Sequence, residues 1–271
     1  MTARSQSSIA ATADGVHWLL LNASPDLRAQ IMASPPLMPS CGADDAARRA
    51  SPIAAVLVTN GDVDHVAGLL TLREKQAFDL YGTEGVLGVI ADNPVYSVMD
   101  PACVTTRPVQ MEQPFEPVPG LTVEIFPVPG KVPLYLERGE IDVGAEGDMT
   151  VGVRLSAGGR TAFYVPGCAF VPEHLAARVA GADVLLFDGT VFVDDEMQRA
   201  GVGAKTGRRM GHMPMTGEGG SIDAFDGRDV GDRVYIHINN TNPVLIEGSD
   251  ERRAVEAAGW RVAHDGMEIV P

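Results

Sequence analysis

Cysteine is scarce: three residues in 271, Cys41, Cys103 and Cys168, lie far apart with no C-x-x-C spacing. An odd, dispersed set argues against a disulfide framework and against a thiolate zinc or redox pair, which leaves buried or inert thiols. Long apolar runs are missing too. None approaches the roughly 18 to 20 residues that cross a bilayer, and the opening TARSQSSIA lacks the basic segment and apolar core of a secretory signal. A soluble, cytoplasmic chain without a membrane span is expected. Positive charge is short as well, with 21 Lys and Arg against 36 Asp and Glu, a net charge of -15. Such a field repels polyphosphates, so no nucleic-acid partner is expected. The densest basic stretch, KTGRRMGH at 205–212, is either a small patch that captures an acidic group or a solvated loop. Internal repeats, low-complexity tracts and a G-x-G-x-x-G after the first strand are absent.

What is present suits one α/β domain over 1–271, with no linker and 45% apolar residues. SIAATAD and VHWLLLN flank Asp14-Gly15, the dipeptide of a two-residue hairpin turn. Ser24-Pro25 reads as the N-cap and first turn of a helix over DLRAQIM, followed by a proline-rich loop, PPLMPSCGADDAARRASP. Residues 53–59 form an apolar, β-branched run typical of a strand buried on both faces. HVAGLLTLRE, TEGVLGVIAD, PEHLAARVA and DERRAVEAAG have helical spacing. FDLYG, TVEIFPV, VGVRLS, TAFYV, DVLLFD and RVYIHINN read as strands, and WRVAHDGMEIV as a closing hairpin. Hairpins first, then alternation with helices, then hairpins again point to a mixed-sheet sandwich with outer helices rather than a doubly wound sheet. Residues 189–232, rich in Gly, Met and Asp with poor periodicity, read as a functional loop.

The chemistry gathers at strand ends. TNGDVDH follows the run IAAVLVT, so Asp62, Asp64 and His65 crowd together where α/β folds host ligands. Close carboxylates repel, and a divalent cation would relieve that repulsion. The alternative is an Asx-turn in which Asp62 caps the next helix and His65 packs. Asp188 follows VLLF at another strand end, and His237 interrupts the apolar pattern of RVYIHINN. Singly these read as a turn residue and a core histidine; together they favour a site. His212, in MGHMPM, is a ligand, a general base, a substrate contact or a surface residue. His17 reads as a structural strand residue and His174 as exposed. His264 either orients a ligand or is hydrogen-bonded structurally.

These motifs, in this order, resemble the metallo-β-lactamase superfamily, and more closely its pyrroloquinoline quinone (PQQ) biosynthesis protein B family. RSQSSIA, LLLNASPDLRAQI, IAAVLVTNGDVDHVAGLLTLRE, GHMPM and HINNTNPVL fall in that family's order, over nearly the whole chain. The resemblance implies a metallo-β-lactamase-like α/β fold: a four-layer αββα sandwich, two mixed sheets with outer helices, the site on their shared edge. Dinuclear hydrolases of the superfamily carry H-x-H-x-D-H; this chain reads Asn60, Asp62, Asp64, His65 there, and Lys131 stands where a further histidine is expected. One metal position is thus dismantled, and Asp64, His65, Asp188 and His237 keep the other. One divalent metal is predicted, Fe(II) or Zn(II), at an oxygen- and nitrogen-rich site with open positions.

The implied activity is an iron-dependent hydroxylation, with molecular oxygen as co-substrate, of the tyrosine ring in a crosslinked Glu-Tyr precursor of PQQ. On this reading Asp64, His65 and His237 hold the metal and Asp188 is a ligand or supports one. Asp62 and His212 act on substrate, a water or an oxygen-derived intermediate. The implied partners are that precursor and other PQQ biosynthesis proteins. Family members begin with an extra strand, a Gly-rich segment and a zinc-binding cysteine cluster, all upstream of this chain's start; the exposed sheet edge leaves a homodimer open. Two other functions are weighed. A metal-activated water attacking an ester or phosphodiester is disfavoured by the lost histidines and the acidic charge. A non-enzymatic carrier would help deliver PQQ, a tricarboxylate, across the membrane, with Lys205, Arg208 or Arg209 as its pairing cations.

Overall fold

Period-2 apolar alternation sorts the strands into two facing sheets. In the computed structural model, which describes residues 4–39 and 50–271, the first sheet holds β1 (Ile9–Ala11), β2 (Trp18–Leu21), β3 (Ile53–Leu57), β4 (Phe78–Gly82) and β5 (Val104–Pro108), neighbours in that order. The second holds β6 (Phe115–Val118), β7 (Leu121–Pro127), β8 (Val151–Ala157), β9 (Arg160–Val165), β10 (Ala182–Asp188), β11 (Val230–Ile236) and β12 (Trp260–Val262), again in sequence order across the sheet. Both sheets are mixed: β1–β2 and the run β6 to β9 pair antiparallel, the remaining pairs parallel.

Around the sheets lie α1 (Leu27–Ala33), α2 (Val63–Val66), α3 (Glu84–Ala91), α4 (Glu173–Val179), α5 (Glu196–Arg199), α6 (Gly207–Met210), α7 (Ser221–Ala224) and α8 (Asp250–Ala257). Leu19, Leu21 and Leu57 of one sheet meet Ile125, Val153 and Val184 of the other between the layers. The alternate residues Leu20, Val56 and Leu80 face outward, under Leu27, Leu69 and Ile90. On the far side Phe163, Leu185 and Phe187 pack beneath Leu175, Val179 and Val255. Each such buried side chain contributes roughly 1.5–3 kcal/mol, and a one-residue slip would turn all of them to the wrong face. The result is the αββα sandwich that the resemblance implies.

β3 of the first sheet and the parallel neighbours β10 and β11 of the second deliver their carboxyl ends to one edge, and this convergence builds the site. Asp188 and Ile236 are paired neighbours at the ends of β10 and β11. The two sheets are tied there by an Asn60–Thr150 bridge and by Val151 N–H donating to Thr59 O at 3.0 Å. The α2 segment hangs on the backbone of Ala23, whose N–H donates to His65 O at 2.7 Å and whose carbonyl accepts from Gly68 N at 2.8 Å. That approach requires glycine, since a Cβ on residue 68 would lie 2.1 Å from Ser24 O.

Several local expectations are corrected. The first hairpin turns over Thr12 to His17, not over two residues: the Thr12 hydroxyl accepts from Gly15 N and the Asp14 carboxylate from Val16 N and His17 N. His17 therefore sits in that turn, exposed and 2.7 Å from Asp14 Oδ2, rather than in a strand. The first helix begins at Leu27 with Asp26 at its N-cap, because Ser24 is buried and bonded to Gln30. The proline-rich loop opens with a 3-10 turn, Pro35–Leu37; Cys41 lies outside the described residues, and Cys103 and Cys168 are free thiols. The stretch over 65–74 is α-helical only over Val63–Val66 and then a 3-10 helix, Ala67–Leu72. β5 escaped the apolar pattern because it is mostly polar and exposed and ends in proline, and β6 because it is four residues long and interrupted by a glutamate and a proline. The closing hairpin is a single strand, β12, paired parallel to β11. The segment 189–232 carries α5, α6 and α7. His237 lies just past β11, with a φ of 52°.

Candidate metal centre

His65 is the best-defined member of the site. It is 1% exposed, and its Nδ1 lies 2.7 Å from Asn60 Oδ1. That oxygen also accepts from Asp62 N–H at 3.0 Å, which fixes it as an acceptor and makes His65 Nδ1 the donor. The Nε2 lone pair therefore faces the site, and among the described residues that buried atom has no hydrogen-bond partner. Burial pushes the imidazole down to about 3, against the pull of Asp64 and with a further push from His237. His65 is neutral at physiological pH.

Asp64, next on α2, reaches across the edge, and its Oδ2 lies 3.0 Å from His237 Nε2. Burial alone would raise the Asp64 carboxyl, but the hydrogen bond from His237 and the nearby His65 hold it below the usual carboxylate range. Burial, the largest single influence on the His237 ring, drives it down, but the hydrogen bond to Asp64 and the charges of Asp64, Asp188 and Asp62 together outweigh it, so its net shift is upward. Its other nitrogen, Nδ1, lies 2.9 Å from Thr190 Oγ1, which accepts from it while giving its own single proton to Asp188 Oδ1. Clamped at both nitrogens, His237 holds a positive φ that costs a non-glycine residue on the order of 1–3 kcal/mol.

Asp188 is fully buried and its carboxylate is saturated. Oδ1 accepts from Thr190 N and Thr190 Oγ1, and Oδ2 from Cys168 N and His212 Nδ1, at 2.7 to 3.0 Å. Burial would raise its carboxyl, but His212 and the other donors hold it low. The bond to Asp188 orients His212 by Nδ1 and leaves Nε2 free, with the ring stacked on His237 at 5.1 Å between centroids.

Asp62 occupies the N-cap position of α2, yet its side chain makes no capping bond, so the Asx-turn alternative fails at the atom that defines it. Burial raises its carboxyl, against the pull of Lys131 and reinforced by Asp64. Asp62 is thus a half-buried carboxyl beside the other five residues, without a hydrogen-bond partner among the described residues.

All six expected residues, Asp62, Asp64, His65, Asp188, His212 and His237, meet at one edge. His174 pairs with Glu146 at the surface, and exposed His264 contacts its neighbour Asp265 O, so neither joins them. The basic stretch divides: Arg209 pairs with Glu137, Arg208 bonds carbonyls of Glu218 and Gly219, and Lys205 is exposed. Thr190, which links Asp188, His212 and His237, carried no sequence signal beyond following Asp188. In the sequence Asn60 stands out only as the residue in place of a histidine.

Ligand atoms of Asp64, His65 and His237 lie within 4.8 Å of one another, as do those of Asp188, His212 and His237. A buried imidazole nitrogen with an idle lone pair, beside a carboxylate and a second imidazole, is the donor set of a divalent cation. These residues fit one.

Fold and donor set together define a protein of metallo-β-lactamase type. The Beta-lactamase superfamily domain model matches residues 17–238. Among curated relatives, Coenzyme PQQ synthesis protein B of Methylobacterium radiotolerans is 59% identical over 98% of this chain and 87% of its own length. The protein of that name from Rhizobium meliloti is 52% identical over 98% and 86%. The crystal structure of Zn(2+)-bound PqqB from Methylobacterium extorquens superposes with a TM-score of 0.96 at 58% identity, covering 99% of this chain and 88% of that one. A diphosphatase of the PhnP family shares the fold at a TM-score of 0.66 and 19% identity, covering 97% of this chain and 83% of its own. The chain belongs to the Coenzyme PQQ synthesis protein B family of the β-lactamase superfamily. No described helix is long and apolar enough to cross a membrane.

Proposed function

We propose that this chain, a member of a PQQ biosynthesis family, is the metal-dependent oxygenase that hydroxylates the tyrosine ring of a crosslinked Glu-Tyr precursor. The observation that carries the reading is the split between available and occupied donors. Asp188 has both oxygens engaged in four hydrogen bonds. Asn60 is fixed as an acceptor behind His65. Among the donors that remain, His65, His237 and Asp64 bring their ligand atoms together, the two-imidazole, one-carboxylate set that in non-haem oxygenases holds ferrous iron and leaves positions open; His212 Nε2 and the Asp62 carboxyl stand beside them for substrate and protons. Zinc, which the Methylobacterium extorquens relative binds, suits the same donors.

When bound, ferrous iron would activate molecular oxygen; one oxygen atom enters the ring C–H bond and the other leaves as water, with the two further electrons and two protons of each hydroxylation drawn from an external reductant and the solvent. The protein's own part is orientation and proton handling. Asn60 holds His65 in the Nδ1–H tautomer, and Thr190 accepts from His237 Nδ1. Asp188 fixes His212 so that its Nε2 faces the reacting centre. Asp62, whose carboxyl is raised and without a partner, is the base for the phenolic proton of the substrate ring, the role for which a carboxyl with a raised pKa is suited.

The test is to purify the protein anaerobically, load ferrous iron, count metal per chain, and follow oxygen uptake with the crosslinked Glu-Tyr precursor. One iron per chain, uptake tied to precursor, and loss of both in His65→Ala are expected. Two metals per chain, with turnover of phosphodiesters, would overturn the reading in favour of a hydrolase. Tight PQQ binding with no precursor conversion would overturn it in favour of a carrier.

A further inference from the structure

Beside the metal centre a cavity of about 300 Å³ runs between the loop after β7 and the segment leading into β8, lined by Lys131, Val132, Leu136, Ile141, Met149 and Thr150 among others. Its volume, at the lower end of small-molecule sites, takes one aromatic unit. Its inner end touches the site: Thr150 is bridged to Asn60, and the Lys131 stem packs against the Gly211 position beside His212. Acidic Glu140, Asp142 and Asp148 line it further out, and Asp148 is already engaged by Gly85 N.

Lys131 is the unusual member. Its side chain is 9% exposed, and its Nζ lies 3.1 Å from Glu137 Oε1 and 3.3 Å from Val132 O. Arg209 takes the same carboxylate with two nitrogens, at 2.8 and 3.2 Å. One carboxylate thus serves two cations, and its stronger, two-pronged bond is to Arg209. The third N–H of Lys131 has no partner among the described residues, and a buried ammonium left in that state is costly. Asp62 faces Lys131 across the site without an ion pair to it.

We propose that Lys131 is the anchor for a carboxylate of an aromatic acid substrate, whose ring occupies the apolar part of this cavity and is thereby presented to Asp62 and the metal centre. Arg209 is a positioning residue: by engaging Glu137 it leaves the lysine charge available. The inference rests on the reading above for the identity of the reaction, but not for binding.

The experiment uses the zinc-loaded protein, which cannot turn over, and measures by calorimetry the binding of 3-(4-hydroxyphenyl)propionate, a one-ring aromatic acid, and of its methyl ester. Wild type is expected to bind the acid at least about tenfold more tightly than Lys131→Met does, the scale of one charge-assisted hydrogen bond. The ester's affinity should change by less than about twofold between the two proteins. Equal affinity of wild type and Lys131→Met for the acid, equal loss of acid and ester in Lys131→Met, or no binding by wild type would each overturn the proposal. Lys131-dependent binding in a protein that never consumes oxygen would instead count against the hydroxylation alone.

Discussion

Removing the Asn60 side chain separates a metal centre from a merely packed histidine. Asn60 Oδ1 accepts from His65 Nδ1 at 2.7 Å and from Asp62 N–H at 3.0 Å. Asn60→Ala deletes that acceptor at a position only 6% exposed. A buried donor left unsatisfied costs about 1–3 kcal/mol, and the ring becomes free to place its proton on Nε2, the nitrogen needed as a ligand. Partners of this kind behind metal-bound histidines are worth about 10- to 100-fold in metal affinity. Asn60→Ala should therefore weaken zinc binding by that factor, measured by competition with a chromophoric chelator at neutral pH. Asn60→Asp keeps an acceptor at the same place and should bind zinc at least as tightly as wild type. An alanine variant within about twofold of wild type would refute the tautomer argument, and equal losses in both variants would show that Asn60 acts by packing alone.

The His237–Asp64 pair sets a pH dependence. Because Asp64 raises His237 above its ordinary value, the proton on Nε2 competes with metal to a higher pH than in a free imidazole. Metal affinity should rise about tenfold per pH unit until that raised value is passed and then level off, as chelator competition across pH would read; a flat profile would exclude the competition. In the metal-free protein the sign reverses: the pair's contribution to stability is fully present below the unfolded imidazole value near about 6.5 and is lost as pH rises through the raised folded value. Gly68→Ala drives a Cβ to within 2.1 Å of Ser24 O, so the backbone that suspends α2 must move. Overpacking of this kind costs about 1–3 kcal/mol or more. Thermal unfolding should shift down by several degrees and zinc affinity should fall with it; unchanged melting would show that the Ala23 contacts do not hold the site.

Much of the site was legible because its residues stand at the ends of apolar strands. Asp62, Asp64 and His65 follow β3, Asp188 closes β10, and His237 directly follows β11. A polar residue at the boundary of a buried run must be a turn, a partner or a ligand, and that narrows the candidates before any coordinates exist. β5 and β6 were not legible, since VTTRP is mostly polar and FEPV is short and carries a proline, and they are held as strands by pairing with β4 and β7. The two-residue hairpin failed for a related reason: Thr12 and Asp14 satisfy the turn's amides from their own side chains and so support a wider turn.

The order of motifs, the acidic charge and the strand-end pattern were properties of the sequence alone, and they determined the family and the sandwich and marked the candidate residues that the fold brings to one edge. Their division of labour was decided only by the fold. Asp188 and Asp64 are the same side chain at similar strand-end positions. One has every lone pair engaged by Cys168, Thr190 and His212, while the other meets an imidazole 173 positions away. Lys131 likewise reads as a lost histidine in sequence and becomes a buried ammonium only where Arg209 competes for Glu137. Periodicity records which face of a strand is apolar; the occupancy of a lone pair depends on neighbours that only chain packing brings within 3 Å.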